Sequence, residues 1–317
     1  MVTPILVTGA AGFAGSHLIE LLAAEAVDAV DIVAWHRPGG RPPHPARQTT
    51  WQAVDLLDAY AVQGAVDAVR PAAVYHCAGA AHVGRSWNAT ESTFAVNVRG
   101  TQHLLQALRQ SRVATRVLIP SSAMVYRPAN EPLTEDHPLV PPNPYGLSKL
   151  AQELLGARAS TDGLSVVIGR AFNHVGARQD PSFAAPGFAK QIAEIEAGLR
   201  EPEVVVGNLD ARREVTDVRD TVRAYRTILE RGRSARPYNV CSGSAMAIGE
   251  LLDRLIARAR VQVRVRVDAS QFRPNDLPLL VGDPARIRGE LGWAPVVPLS
   301  RTLDDLLEYW RTSLRHT

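Results

Sequence analysis

Apolar positions cluster early in the chain. Residues 4–8 (PILVT) form a short apolar run, and residues 14–25 (AGSHLIELLAAE) repeat apolar side chains at helical spacing. A second strand-like run covers residues 30–35 (VDIVAW). With glycines at the first junction, this pattern predicts a strand, tight turn, helix and strand, the βαβ unit. Residues 37–48 are rich in Pro and Gly and predict loop. A helix over 58–70 and a strand over 72–79 follow, then a long helix over 93–111 and a strand over 116–122. Six prolines between 127 and 144 predict an irregular connection, followed by a helix over 145–159 and a strand over 164–171. Apolar strands alternating with helices predict a parallel sheet covered on both faces.

The rhythm changes after Ala171. Residues 173–187 predict loop, 188–199 an amphipathic helix and 203–207 a short strand. Further helices are predicted over 217–232, 248–259 and 283–293, and strands over 237–243, 261–268 and 279–283. This part predicts a smaller α/β lobe interleaved with the main sheet, with no clean linker.

Composition excludes several classes. Of 317 residues, 46% are hydrophobic and 21% charged, an ordinary balance for a globular enzyme. The net charge of +3 arises from scattered arginines, so no basic block predicts a nucleic-acid surface. No apolar stretch reaches the ~20 residues of a membrane span, and no signal peptide opens the chain. Cys77 and Cys241 lie in apolar runs and predict buried, reduced thiols of a cytoplasmic protein. The histidines show no metal-ligand spacing.

The chemistry is concentrated in two motifs. Gly9, Gly12 and Gly15 give G-x-x-G-x-x-G between a strand and a helix, where backbone N–H groups and a helix N-terminus can approach a pyrophosphate. The second strand runs into Trp35, His36 and Arg37 with no carboxylate at its tip, which predicts NADP(H) rather than NAD(H). Asp55 either caps a helix or touches adenine. Tyr145 and Lys149 in PYGLSK lie one helical turn apart on one face. An ammonium there is expected to lower the phenol pKa and fit it for proton transfer near neutral pH. Ser122 ends a strand at the carboxyl edge of the sheet, placed to bond a substrate carbonyl; Ser121 is the second candidate. Asn97 sits mid-helix, where Asn is unfavourable, so it is expected to bond backbone behind the site. Arg212, Arg213 and Arg273 lie in later loops, and their guanidinium forks suit a diphosphate.

Together, TGAAGFAGSHL, HCAGAAH, SSAMVY, YGLSK and DVRD resemble the extended short-chain dehydrogenase/reductases that act on nucleotide sugars. The segments RAFNHVGARQ, FAKQIAEIE, VGNLDARREVTDVRD, YNVCSG and FRPNDLPLLVGDPARIRGELGW resemble the branch of GDP-mannose 4,6-dehydratases and GDP-4-keto-6-deoxy-mannose reductases. The resemblance implies an α/β fold: a Rossmann-type doubly wound parallel sheet over 1–171 with a smaller C-terminal α/β substrate lobe over 172–317, segments around 212–240 returning to the first. It implies that NADP(H) lies against Gly9, Gly12, Phe13, Ala14, Gly15, Arg37, Asp55, Leu56, Ala78, Gly79, Ala80, Asn97, Tyr145 and Lys149. Ser122 would hold the sugar C4 oxygen, Tyr145 would exchange its proton, and Lys149 would hold the nicotinamide ribose. Asn173 and Lys190 would lie near the nucleotide diphosphate and base, Arg213 and Arg273 on the diphosphate, and Asp276 on a ribose. The dehydratases carry Glu two residues before the tyrosine of the strand-end motif; here that position is Met124, which cannot move a proton. Arg127 stands where relatives have glycine. The implied activity is reduction of a GDP-4-keto-6-deoxy-hexose, with a 4,6-dehydratase or epimerase as the alternative. The helices at 93–111 and 145–159 carry apolar stripes that relatives use for a homodimer.

Overall fold

The computed structural model describes residues 4–25, 31–40, 49–272 and 277–315. The first half contains strands β1 (Ile5–Thr8), β2 (Ile32–His36), β3 (Thr49–Ala53), β4 (Ala73–His76), β5 (Arg116–Ser122) and β6 (Ser165–Ala171). Between them run helices α1 (Phe13–Glu25), α2 (Ala59–Val69), α3 (Val83–Ser86), α4 (Thr90–Phe94), α5 (Gly100–Ser111) and α6 (Pro144–Thr161). The second half holds β7 (His174–Val175), α7 (Ala184–Glu196), β8 (Glu203–Val206), β9 (Arg212–Glu214) and β10 (Thr216–Asp217). It continues with α8 (Val218–Arg231), β11 (Pro237–Val240), β12 (Ala245–Ala247), α9 (Ile248–Ile256), β13 (Arg264–Val267), β14 (Leu279–Leu280), α10 (Ala285–Leu291) and α11 (Leu299–Arg315).

Seven strands form one sheet in the order β11-β6-β5-β4-β1-β2-β3, and every neighbouring pair is parallel. The order reverses beside β1, so the crevice over its carboxyl end is the natural ligand site. The strands are apolar on both faces because helices cover both. Leu18, Leu22, Val222 and Ile228, from α1 and α8, fill one side. Val62, Val66, Leu104 and Leu108, from α2 and α5, fill the other. Each such side chain contributes about 1.5–3 kcal/mol on burial.

The second lobe has its own core of α7, α9, α11 and β8, centred on Ile192, Val204, Leu255 and Leu306. Strand β11 and helix α8 join the first lobe, and so does α10, through Ile287 and Leu291. By contrast, β9 stays in the second lobe, in a small sheet ordered β12-β9-β14.

Three local departures have physical reasons. The edge strand β3 reads TTWQA, too polar and short to stand out in sequence. The helix predicted over 93–111 is interrupted by a π turn at Ala95–Arg99 between α4 and α5. Helix α11, absent from the sequence reading, buries only the narrow stripe Thr302, Leu303, Leu306 and Leu307. Among the described residues no helix is long and apolar enough to cross a membrane.

Candidate active site

The chain enters the site through the turn between β1 and α1. Gly9 has φ +64°, and a Cβ there would lie 2.5 Å from the Ala78 backbone, so only glycine fits between this turn and the end of β4. Ala10 N–H donates to the Trp35 carbonyl (3.0 Å), tying the turn to the tip of β2. The first backbone bond into the helix is Ser16 N–H to Gly12 O (2.9 Å), so the N–H groups of Phe13, Ala14 and Gly15 precede the helical ladder. A bare cradle closed by first-turn donors fits the pyrophosphate of a dinucleotide. Ala78, Gly79 and Ala80 form the opposite wall. They are held by Asn97, whose Oδ1 accepts from Ala80 N–H (2.7 Å) and whose Nδ2 donates to Ala80 O (3.2 Å) and Ser148 Oγ (2.8 Å). Asn97 lies within the π turn, a distortion frequent at functional sites.

Helix α6 is started by Asn143, whose Oδ1 accepts from Gly146 N–H (2.8 Å), with Pro144 at its first position. Tyr145 therefore sits in the first turn and Lys149 one turn further. A Cβ on Gly146 would lie 2.1 Å from the Met124 carbonyl, so this glycine lets the helix touch the turn after β5. That turn begins at Ser122, whose Oγ accepts from Met124 N–H (3.1 Å) and lies near enough to the Tyr145 phenol to lower its pKa. Ser122, Tyr145 and Lys149 share a cavity of about 740 Å³ that extends to Asn173 and Arg213.

The electrostatics correct one expectation. Burial pushes the Tyr145 phenol above its ordinary value, and the nearby Ser122 hydroxyl pulls the other way. Desolvation of the phenolate dominates, so the phenol is held protonated. Lys149 is brought down to about 8 by burial, opposed by Glu153 and Cys77. Burial also raises Cys77 to about 12, so this cavity-lining thiol stays protonated.

Other expected residues fall in varied places. Arg37 is exposed beyond the tip of β2. Asp55 does not cap a helix: its carboxylate accepts from Leu57 N–H (2.9 Å), and Asp58 caps α2 instead. Leu56 packs beside Gly100, and its carbonyl meets His103 Nδ1 (2.9 Å). Ser121 gives its hydroxyl to Glu153 on α6. Lys190 does not line the cavity. Its ammonium pairs with Glu194 (3.6 Å) and lies over the Trp310 ring (5.6 Å), because its side of α7 faces α11. Its neighbour Gln191 lines the cavity and clamps Val205 N–H (2.9 Å) and C=O (3.1 Å). Arg273 and Asp276 lie outside the described residues.

The sequence reading missed His174 and Gln179, both on the cavity wall. Burial holds the His174 imidazole neutral. Its Nδ1 contacts the Phe172 carbonyl (3.0 Å), which assigns the proton to Nδ1 and leaves Nε2 an acceptor. The ring lies parallel to Phe13, centroids 5.6 Å apart. Gln179, only 9% exposed, donates to the His174 carbonyl (3.0 Å), and its Oε1 is a buried acceptor without a partner among the described residues. The available signal was their place, two polar side chains just past the end of β6.

A parallel sheet reversing at β1, a glycine cradle and a Ser–Tyr–Lys set define the chain as an extended short-chain dehydrogenase/reductase, a nicotinamide-dependent oxidoreductase class. The family model for GDP-mannose 4,6 dehydratase matches residues 6–306, and the chain belongs to that family. It is 34% identical to the GDP-6-deoxy-D-mannose reductase of Pseudomonas aeruginosa, over 99% of each chain. It is 31% identical to a dTDP-glucose 4,6-dehydratase of Streptomyces griseus, over 95% of this chain and 92% of that one. Among solved structures it resembles a Pseudomonas aeruginosa protein complexed with NADPH (TM-score 0.85, 32% identity, 98% of this chain and 100% of that one). It also resembles a Thermus thermophilus UDP-glucose 4-epimerase complexed with NAD (TM-score 0.86, 28% identity, 98% and 99%).

Proposed function

We propose that the protein is an NADPH-dependent reductase of the C4 ketone of a GDP-4-keto-6-deoxy-hexose. The observation that carries this reading is the pairing of a protonated Tyr145 with Met124. The phenol is loaded to donate a proton, and the neighbouring wall position offers a thioether instead of an acid–base group. Reduction needs one proton at the carbonyl oxygen; water elimination also needs a proton removed from carbon. The similarity to a GDP-6-deoxy-D-mannose reductase and to a structure holding NADPH supports the reading.

When bound, reduced nicotinamide supplies the hydride. The chain's own residues do the rest. Ser122 Oγ holds the ketone oxygen against Tyr145, which gives it a proton. Lys149 presents a cation to the cofactor ribose. Gln179 Oε1 and His174 Nε2 would offer acceptors to a bound nicotinamide, and Arg37 would meet a 2′-phosphate. Arg213 holds the diphosphate of the substrate. Binding energy from the nucleotide end then orients the sugar ring, where hydroxyls alone hold weakly.

The test is absorbance of reduced nicotinamide with GDP-4-keto-6-deoxy-mannose, with NMR of the product. One NADPH oxidised per sugar, and no 4-keto product from GDP-mannose, is the expected result. Conversion of GDP-mannose without net NADPH consumption would overturn it and favour the dehydratase reading, which the dTDP-glucose 4,6-dehydratase relative keeps in play. We further propose a homodimer through α6, where Leu147 (50% exposed) and Leu154 (63%) form an unpaired stripe at i, i+7. Light scattering at micromolar concentration tests it, and a monomer refutes it.

A further inference from the structure

Glu153 follows Lys149 by one helical turn, so Tyr145, Lys149 and Glu153 stand at i, i+4 and i+8 along α6. Its carboxylate is almost completely buried. It accepts the Ser121 hydroxyl and a forked guanidinium, with Arg170 Nε 3.0 Å from Oε1 and Nη2 2.7 Å from Oε2. Arg170, at the end of β6, spends Nη1 on the Tyr126 hydroxyl (2.9 Å) and the Glu135 carbonyl (3.0 Å). The Tyr126 hydroxyl donates to Asn239 Oδ1 (2.6 Å) on β11. The ends of β5, β6 and β11 are thereby fixed to one helix by a buried network whose charges are matched.

A buried ion pair is weak evidence for stability, because desolvation cancels most of its attraction. This pair lies where geometry matters. Ser121 precedes Ser122 on β5, and its hydroxyl is spent on Glu153 of α6, while the Ser122 hydroxyl accepts from Met124 N–H at the cavity wall. Holding Ser121 to α6 therefore sets the distance between Ser122 and the helix bearing Tyr145.

We propose that Glu153 is a positioning residue: through Ser121, and steadied by Arg170, it locks the strand end carrying Ser122 to the helix carrying Tyr145 and Lys149. The kinetic form of this proposal rests on the reductase reading; its structural form does not. In Ser121→Ala the NADPH KM stays within about twofold while kcat falls on the order of tenfold to a hundredfold, the scale of a misplacement near 1 Å. Ser121→Thr, which keeps the hydroxyl, restores kcat to within about threefold. Glu153→Gln behaves like Ser121→Ala in the same split. A crystal structure of Ser121→Ala reads the lock without turnover, and the separation of the Ser122 and Tyr145 hydroxyls is expected to widen relative to a wild-type crystal. A wild-type enzyme inert toward the ketone would refute the reductase reading but leave this structural readout standing. Unchanged kcat in Ser121→Ala, loss in Ser121→Thr equal to that in Ser121→Ala, or an unchanged separation of the Ser122 and Tyr145 hydroxyls in the crystal would each overturn the proposal.

Discussion

Lys149→Met removes an ammonium that the fold buries against β4, with no carboxylate within ion-pair distance among the described residues. Burial brings the group from 10.5 to about 8. At about 1.36 kcal/mol per pH unit, keeping that charge buried costs the folded state about 3 kcal/mol at pH 7. Methionine has similar length and no charge, so the variant is expected to be more stable than the wild type by up to that amount. The corresponding rise in Tm is roughly 5–10 °C. The pH dependence fixes the cause. Between about 8 and 10.5 the unfolded chain binds more protons than the folded one, so wild-type stability rises with pH across that window. The penalty is fully present below about 8 and gone above 10.5. The stability gap between variant and wild type should therefore shrink from about 3 kcal/mol at pH 7 to about 1 kcal/mol at pH 9.5. Urea denaturation of the ligand-free protein at both pH values measures it. The same variant should lose NADPH-dependent turnover. A Lys149→Met variant no more stable than wild type at pH 7, or a gap that ignores pH, would refute the reasoning.

Tyr145→Phe should lower kcat by at least ~100-fold while NADPH affinity, followed by cofactor fluorescence, stays near wild type. Arg37→Ala should weaken NADPH more than NADH; equal losses would remove the 2′-phosphate assignment. Gly146→Ala must push α6 away from the Met124 carbonyl, costing on the order of 1–3 kcal/mol in thermal unfolding and lowering kcat with it.

The sequence exposed the architecture because its signals are local. Glycines at fixed spacing, a tyrosine and a lysine one helical turn apart, and apolar strands of four to seven residues each declare themselves within a short window. What stayed hidden depends on distant partners. Lys190 and Gln191 differ only in which side of α7 they occupy, and the packing of α7 on α11 decides that. His174 and Gln179 gain meaning only when their loop folds back beside Phe13. The phenol's titration was misjudged because spacing reveals the nearby ammonium but not the loss of water around the ring. Strand β3 and helix α11 lack strong periodic cues and are stabilised by the surfaces they complete.

The return of β11 and α10 to the large sheet constrains any attempt to shuffle this enzyme. A fragment ending near Ala171 would leave the whole flank of β6 without its hydrogen-bonding neighbour and strip Tyr238, Ile287 and Leu291 from the interior. Such a piece would recruit foreign strands instead of folding by itself. Chimeras meant to trade one sugar specificity for another should therefore keep 216–240 and 285–293 with the cofactor half, and exchange only the stretches between them.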